Sequence, residues 1–220
     1  MNATQWVRLI GIGLLAAGLA ACAPKPPPLP TYPASIGAPP RSILVIPVVN
    51  TSTEVEAADA FLATLAVPLA ERGYYVFPTT MVKRVMEDDG LGDADMVHAA
   101  DTKRLAEIFG ADAVLYAKIT DWNSRYIVLA VSTSVAIQYD LRLGSTGHTI
   151  WQENTHFTHT VGPQNSGGGI IGALVAGAVA AAIERAAPAY VPLASMANAQ
   201  AMLSHQSKLP PGPYYKAPQQ

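Results

Sequence analysis

A single cysteine in 220 residues excludes an internal disulfide and any multi-thiolate metal site. Charge is also scarce. Asp, Glu, Lys and Arg together make up 14% of the chain and the formal net charge is −2. There is therefore no basic field to draw a phosphate backbone and no acidic tail, and nucleic acid is not an expected partner. Half of the residues are hydrophobic, a share raised by two stretches near residues 7–21 and 170–183. Each of these falls short of the roughly twenty apolar residues that span a bilayer. What remains is ordinary in composition and long enough for one domain with a real core, not for two large ones.

The lone cysteine sits where its neighbours explain it. Arg8 precedes the apolar run Leu9 to Gly18, and Leu19-Ala20-Ala21-Cys22 follows: a charged start, a short greasy middle and small residues at a cut site. This resembles the lipobox of bacterial lipoproteins, with residues 1–21 as the leader and Cys22 as the acylated amino terminus. An uncleaved anchor helix, or an ordinary secretory leader that happens to end near a cysteine, is the alternative. Each buried methylene of an acyl chain contributes about 0.8 kcal/mol, so several chains hold a protein far more firmly than one. The second mature residue, Ala23, is not the aspartate that retains such lipoproteins in the inner membrane, so the expected address is the outer membrane.

Residues 22–41 form a lipidated, proline-rich linker: prolines at 24, 26, 27, 28, 30, 33, 39 and 40 disfavour helix and sheet. Fully extended, it would reach about 50 Å at about 3.1 Å per residue. From residue 42 the pattern becomes that of an α/β fold, a single mixed-sheet domain over 42–165 with a βαβ start followed by helices and an antiparallel meander. Ser42 to Val49 is a continuous apolar run, as in a strand covered on both faces. Thr53 and Glu56 offer a capping box for a helix bearing Val55, Ala58, Phe61 or Leu62, Leu65 and Leu69, bent near Pro68 and ending by Gly73. Tyr74 to Phe77 is the second strand. A short helix opens at Thr79 or Thr80 and stops at Gly90 and Gly92; another runs from Asp101 to Gly110. Ala113 to Ile119 is the third strand, Asp121 to Ser124 a turn. Val131, Thr133, Val135, Ile137, Tyr139, Leu141 and Leu143 then alternate with polar residues in a half-buried strand, and Gly144 to Gly147 turns it back into a partner over about 148–160. Residues 166–220 supply a Gly/Ala-rich helix, further carboxy-terminal helix over about 190–205, and a packing arm that ends in disorder.

The run Ile43 to Val49, the passage Gly110-Ala111-Asp112-Ala113-Val114-Leu115 and the hairpin after it resemble a family of bacterial outer-membrane lipoproteins of unknown function that includes a neisserial surface antigen. The resemblance implies a fold similar to the amino-terminal domain of TolB and to the lipoprotein activators of penicillin-binding proteins. It also implies work beside a lipoprotein that resembles the curli secretion channel, because such genes are often neighbours. It carries no catalytic residues.

The motifs that would carry chemistry read better as structure. Gly167 to Gly172 satisfies GxGxxG, but it follows a hairpin strand and lacks a second strand with an acidic tip, so no cofactor is expected. Glu153, His156 and His159 lie close in sequence, yet 156 and 159 point to opposite faces of a strand, so no metal is expected. Ser145 and Ser166 lack a GxSxG elbow, and Glu87, Asp88 and Asp89 are a solvated helix end. Ile170 to Ile183 holds fourteen uncharged residues. Its small residues, Gly168 with Gly172 and Ala173 with Gly177, repeat at the spacing that lets helices approach closely. That helix would pack on its own domain, on a second copy or on a membrane. The function expected is non-catalytic: an outer-membrane lipoprotein facing the periplasm, binding or scaffolding in envelope assembly or export through homo-oligomers or other envelope lipoproteins. An activator of a peptidoglycan synthase and an unrecognised envelope hydrolase are the alternatives.

Overall fold

The computed structural model describes residues 28–127, 130–161, 190–204 and 206–217. Among them are one open, mixed sheet of six strands and five α-helices. Strand β1 (Ser42–Val45) is flanked in parallel by β3 (Tyr75–Val76) and β4 (Ala113–Ile127). Its apolar run serves two cores. Ile43 and Val45 face one helical layer, Leu44 and Ile46 the other, so none of these four positions is wet. The expected single strand to Val49 is divided because Pro47 has no N–H to donate. Pairing with β4 resumes as β2 (Val49–Asn50), with Val49 opposite Lys118.

Helix α1 (Ala57–Glu71) buries Phe61, Leu62, Leu65 and Leu69 against the sheet, and Pro68 lies inside it one turn from its end. The Thr53–Glu56 capping box does not form: Glu56 is the N-cap and makes no side-chain cap bond. The entry is braced earlier in the chain. The Asn50 side chain donates to the Glu54 carbonyl and accepts from the Ser52 amide and hydroxyl, an Asx-type local network that competes with capping for the same few backbone groups.

Helices α2 (Thr79–Asp88), α3 (Ala94–Ala99) and α4 (Thr102–Phe109) cover the other face, burying Val82, Met86, Val97 and Leu105 on Leu44, Ile46, Val114 and Tyr116. Helix α4 begins and ends as expected, with Asp101 accepting from the Lys103 amide and Gly110 in the left-handed conformation at φ +67°. Helix α3 occupies a stretch that reads as a pause; the Asp93 side chain caps it by accepting from the Met96 amide.

Strands β4, β5 (Ala130–Leu143) and β6 (Thr149–Val161) form a long antiparallel meander, giving the order β3-β1-β4-β5-β6 with β2 beside β4. The turn expected at Asp121 to Ser124 is not there; β4 runs through it. The register between β4 and β5 shifts between Ile119 and Asp121. Thr120 is the inserted residue, and its hydroxyl donates to the Ala136 carbonyl. This bulge re-aims the polar residues that follow without ending the strand. The alternation on β5 holds: Thr133, Val135, Ile137, Tyr139 and Leu141 are buried.

Helix α5 (Tyr190–Leu203) lies across α1 and β6, and Leu193, Ala194, Ala197, Ala201 and Met202 join the same core as Phe61 and Trp122. The arm beyond it is also packed. Leu209 is fully buried, its carbonyl accepts from Arg72 Nε at 2.8 Å, and Tyr74 donates to the Pro210 carbonyl. Gly212 and Tyr214 bond the backbone of Arg72 and Gly73. At this crossing a Cβ on Gly212 would stand 2.3 Å from the Gly73 oxygen. The end of the proline-rich segment meets the same turn, where the Tyr32 and Tyr74 hydroxyls share a hydrogen bond of 2.7 Å.

Candidate binding surface

Two concavities compete for attention. The larger, about 770 Å³, is lined by Pro39, Pro40, Glu107, Asp112, Gly144 and neighbours where the linker enters the domain. Its central carboxylate is already committed. Asp112 accepts from the amides of both Arg41 and Ser42, and its own amide donates to Ser42 Oγ. The aspartate of the Gly110–Leu115 passage therefore ties the start of β4 to the start of β1.

The second cleft, about 390 Å³, exists because the helical layer stops short. Helices α2 to α4 cover β1 and the first residues of β4, whereas β5 and β6 leave Gln138, Gln152, Asn154 and His156 exposed on that face. His98 on α3 and Tyr116 on β4 stand at the step, and Lys118, Gln138, Asp140, Arg142, Gln152 and Asn154 make the floor. The strand register sets these in rows, Tyr116 opposite Asp140 opposite Gln152 and Lys118 opposite Gln138 opposite Asn154.

The charged groups on the floor are held rigidly. Arg142 Nε donates to Asp140 Oδ2 at 2.7 Å, and its guanidinium lies 4.3 Å over the Tyr116 ring, a cation–π contact that fixes the plane of the fork. Thr149 Oγ1 donates to the other Asp140 oxygen at 2.8 Å. Both oxygens of Asp140 are thus engaged, which leaves it poorly suited to act as a general base. The Tyr116 hydroxyl shares a hydrogen bond with Thr102 Oγ1. His98 Nε2 donates to the Pro47 carbonyl at 3.0 Å, since a carbonyl can only accept. Burial lowers the His98 pKa below its usual value, against the opposing pull of that carbonyl and of Asp95.

The residues singled out from sequence fall elsewhere. Leu19, Ala20, Ala21 and Cys22 lie outside the described residues, as do Gly168, Gly172, Ala173, Gly177 and the GxGxxG stretch. His156 is exposed on the open face while His159, half-buried, stacks beside Phe157 on the other, and among the described residues no group of His, Cys, Asp and Glu is arranged to hold a metal ion. Asp88 pairs with Arg84 at a solvated helix end. None of Tyr116, Lys118, Asp140 and Arg142 was a sequence candidate. The signal available was the place of Lys118, Asp140 and Arg142 at half-wet strand positions; their meeting with Tyr116, which is buried, and His98 depends on where a helix stops.

The fold defines a class of small α/β domain in which a parallel βαβ start and a three-stranded antiparallel finish share one open sheet. Residues 31–214 match the family model of the GNA1162-like lipoproteins. The chain belongs to that family, as the resemblance implied. It is 35% identical over 171 residues to a lipoprotein of Neisseria meningitidis serogroup B, covering 78% of each chain. The crystal structure of the lipoprotein GNA1162 from the same organism is similar at a TM-score of 0.54 and 33% identity, covering 67% of this chain and 97% of that one. The PelC dodecamer from Paraburkholderia phytofirmans is a more distant likeness, at 14% identity over 80% of this chain and 95% of that one, with a TM-score of 0.46.

Proposed function

We propose that this chain is a lipid-anchored, periplasm-facing component of the outer membrane that binds or scaffolds in envelope assembly or export and catalyses nothing. The observation that carries the reading is the pattern of the first 41 residues: a charged start and short apolar run, Leu19-Ala20-Ala21-Cys22, then a proline-rich segment leading into one domain of a lipoprotein family. The sheet supports a binding role, since β6, thirteen residues long, pairs only with β5 among the described residues. An edge strand of that length offers unpaired amides and carbonyls to another chain. Small residues at 168, 172, 173 and 177 would give a second contact, to another copy or another lipoprotein.

Mass spectrometry of the protein extracted from envelopes tests the anchor. The expected species begins at Cys22 and carries acyl chains; a bare thiol at Cys22 with the leader attached overturns both location and role. Sedimentation of Ala173→Leu and Gly177→Leu tests the assembly: a changed oligomer size is expected, and an unchanged species removes the Gly/Ala contact.

A further inference from the structure

The cleft at the step between α3 and the open strands carries more than a general binding role. Its floor has two cations and one carboxylate, and the carboxylate is spent internally. Arg142 uses Nε on Asp140 and its plane on Tyr116, while its terminal nitrogens have no protein acceptor among the described residues. Lys118 is half-buried in the same floor and makes no ion pair there. Asp121 lies farther along the face and takes a hydrogen bond from Ser134; Asp95 stands behind His98. Around the two cations, Gln138, Gln152 and Asn154 present amides with no partner among the described residues. Each amide offers two donors and an acceptor to vicinal hydroxyl or acetamido groups. A fixed guanidinium fork and a lone ammonium lining one cleft suit an anionic ligand such as a carboxylate.

We propose that this cleft binds a carboxylate-bearing glycan, with Arg142 and Lys118 on the carboxylate and the three amides on the neighbouring sugar groups. The site goes beyond the scaffold reading and stands without it, because neither acylation nor self-association enters the geometry. Two sources share the chemistry, an acidic polysaccharide built on uronic acids and the peptide-bearing glycan of the cell wall.

The test is calorimetric titration of the full chain, as purified from cells, with three probes: tetragalacturonate, the disaccharide tetrapeptide of peptidoglycan, and neutral galactotetraose. One or both acidic probes are expected to bind, the neutral one not, and whichever acid binds more tightly names the source. Lys118→Gln, at a position with no ion-pair partner among the described residues, should weaken binding about ten-fold, the equivalent of one charge-assisted contact; Arg142→Gln should do so at least as strongly. Rising salt should weaken it further. No binding of either acid at millimolar concentration overturns the proposal. So does equal binding of the neutral sugar, or acid binding that Lys118→Gln leaves unchanged. Loss of lipidation would leave every one of these outcomes as it is, so failure of the anchor and failure of the cleft are separable.

Discussion

His98 joins the two halves of the sheet's open side: its ring touches Tyr116 edge-on at 5.2 Å and its Nε2 holds the Pro47 carbonyl where β1 gives way to β2. Burial is the main reason its pKa is lowered; Arg142 and Lys118 push the same way, and Asp95 and the Pro47 carbonyl oppose them. In the unfolded chain the ring titrates near about 6.5. Between that value and the lower folded one, the unfolded chain binds more protons than the native one. Stability tied to this ring is therefore complete above about 6.5 and is lost as pH falls through the folded value. Urea midpoints taken from pH 7.5 down to 5 should decline in the parent, and decline less in His98→Gln, whose amide can still donate to Pro47. Parallel declines would remove the histidine as the cause. Little in the sequence around Val97-His98-Ala99 announces this, because apart from Asp95 the groups that set its environment, Pro47, Tyr116, Lys118 and Arg142, are eighteen or more residues away. Asp112 is the opposite case. The Gly110–Leu115 passage was legible as a family signature, and its purpose turns out to be two amide bonds to Arg41 and Ser42.

At the scale of elements, hydrophobic periodicity was a good guide wherever burial alone decided the pattern. The alternation along β5 and the apolar run of β1 translate directly into buried positions, because both report which faces are dry. It misled where polar residues had local partners. Asp121 to Ser124 read as a turn, yet a one-residue bulge and a hydrogen bond between Ser124 and Thr133 keep them in the strand. Helix α5 shows the limit of the method: it has apolar residues on nearly every side, and its orientation is set by one polar residue. Asn198 is fully buried, accepts from the Tyr139 hydroxyl at 2.8 Å and donates to Thr64 Oγ1 at 2.9 Å, linking α5 to β5 and α1. Asn198→Leu strands the Tyr139 hydroxyl in the core and should cost about 2–3 kcal/mol by urea unfolding. Adding Tyr139→Phe should recover about 1 kcal/mol of that, since an apolar pair needs no bond. A double variant no more stable than the single one would show that the network is not what fixes the helix.

For the whole molecule, the sequence separates a tether, a domain and a tail, and the structure gives the last two a common core. Leu209 is buried and Arg72, only 5% exposed, depends on its carbonyl. Truncation after Gln206 should therefore lower stability by about 3 kcal/mol or more, the sum of an unsatisfied guanidinium and an emptied Leu site. Equilibrium unfolding checks this, and a midpoint within error of the parent would mean that the arm merely rests on the surface. This stretch of Pro, Gly and Tyr has no periodicity, so the sequence suggested a packing arm but not which turn it grips. Its partner, the turn at Gly73, has φ +88° and no room for a Cβ beside the Tyr215 backbone.

The meeting of Tyr32 with Tyr74 also fixes how an anchored chain would carry a load. Tyr32 is held to the domain and lies ten residues after Cys22, so a lead extended between the two would reach about 30 Å rather than the full span of the prolines. A pull from the membrane would arrive at Tyr74, on the turn that the tail grips through Pro210 and Gly212 from the other side. The domain would be towed by its middle, where Tyr32 and the segment from Pro210 to Tyr214 fasten on one turn.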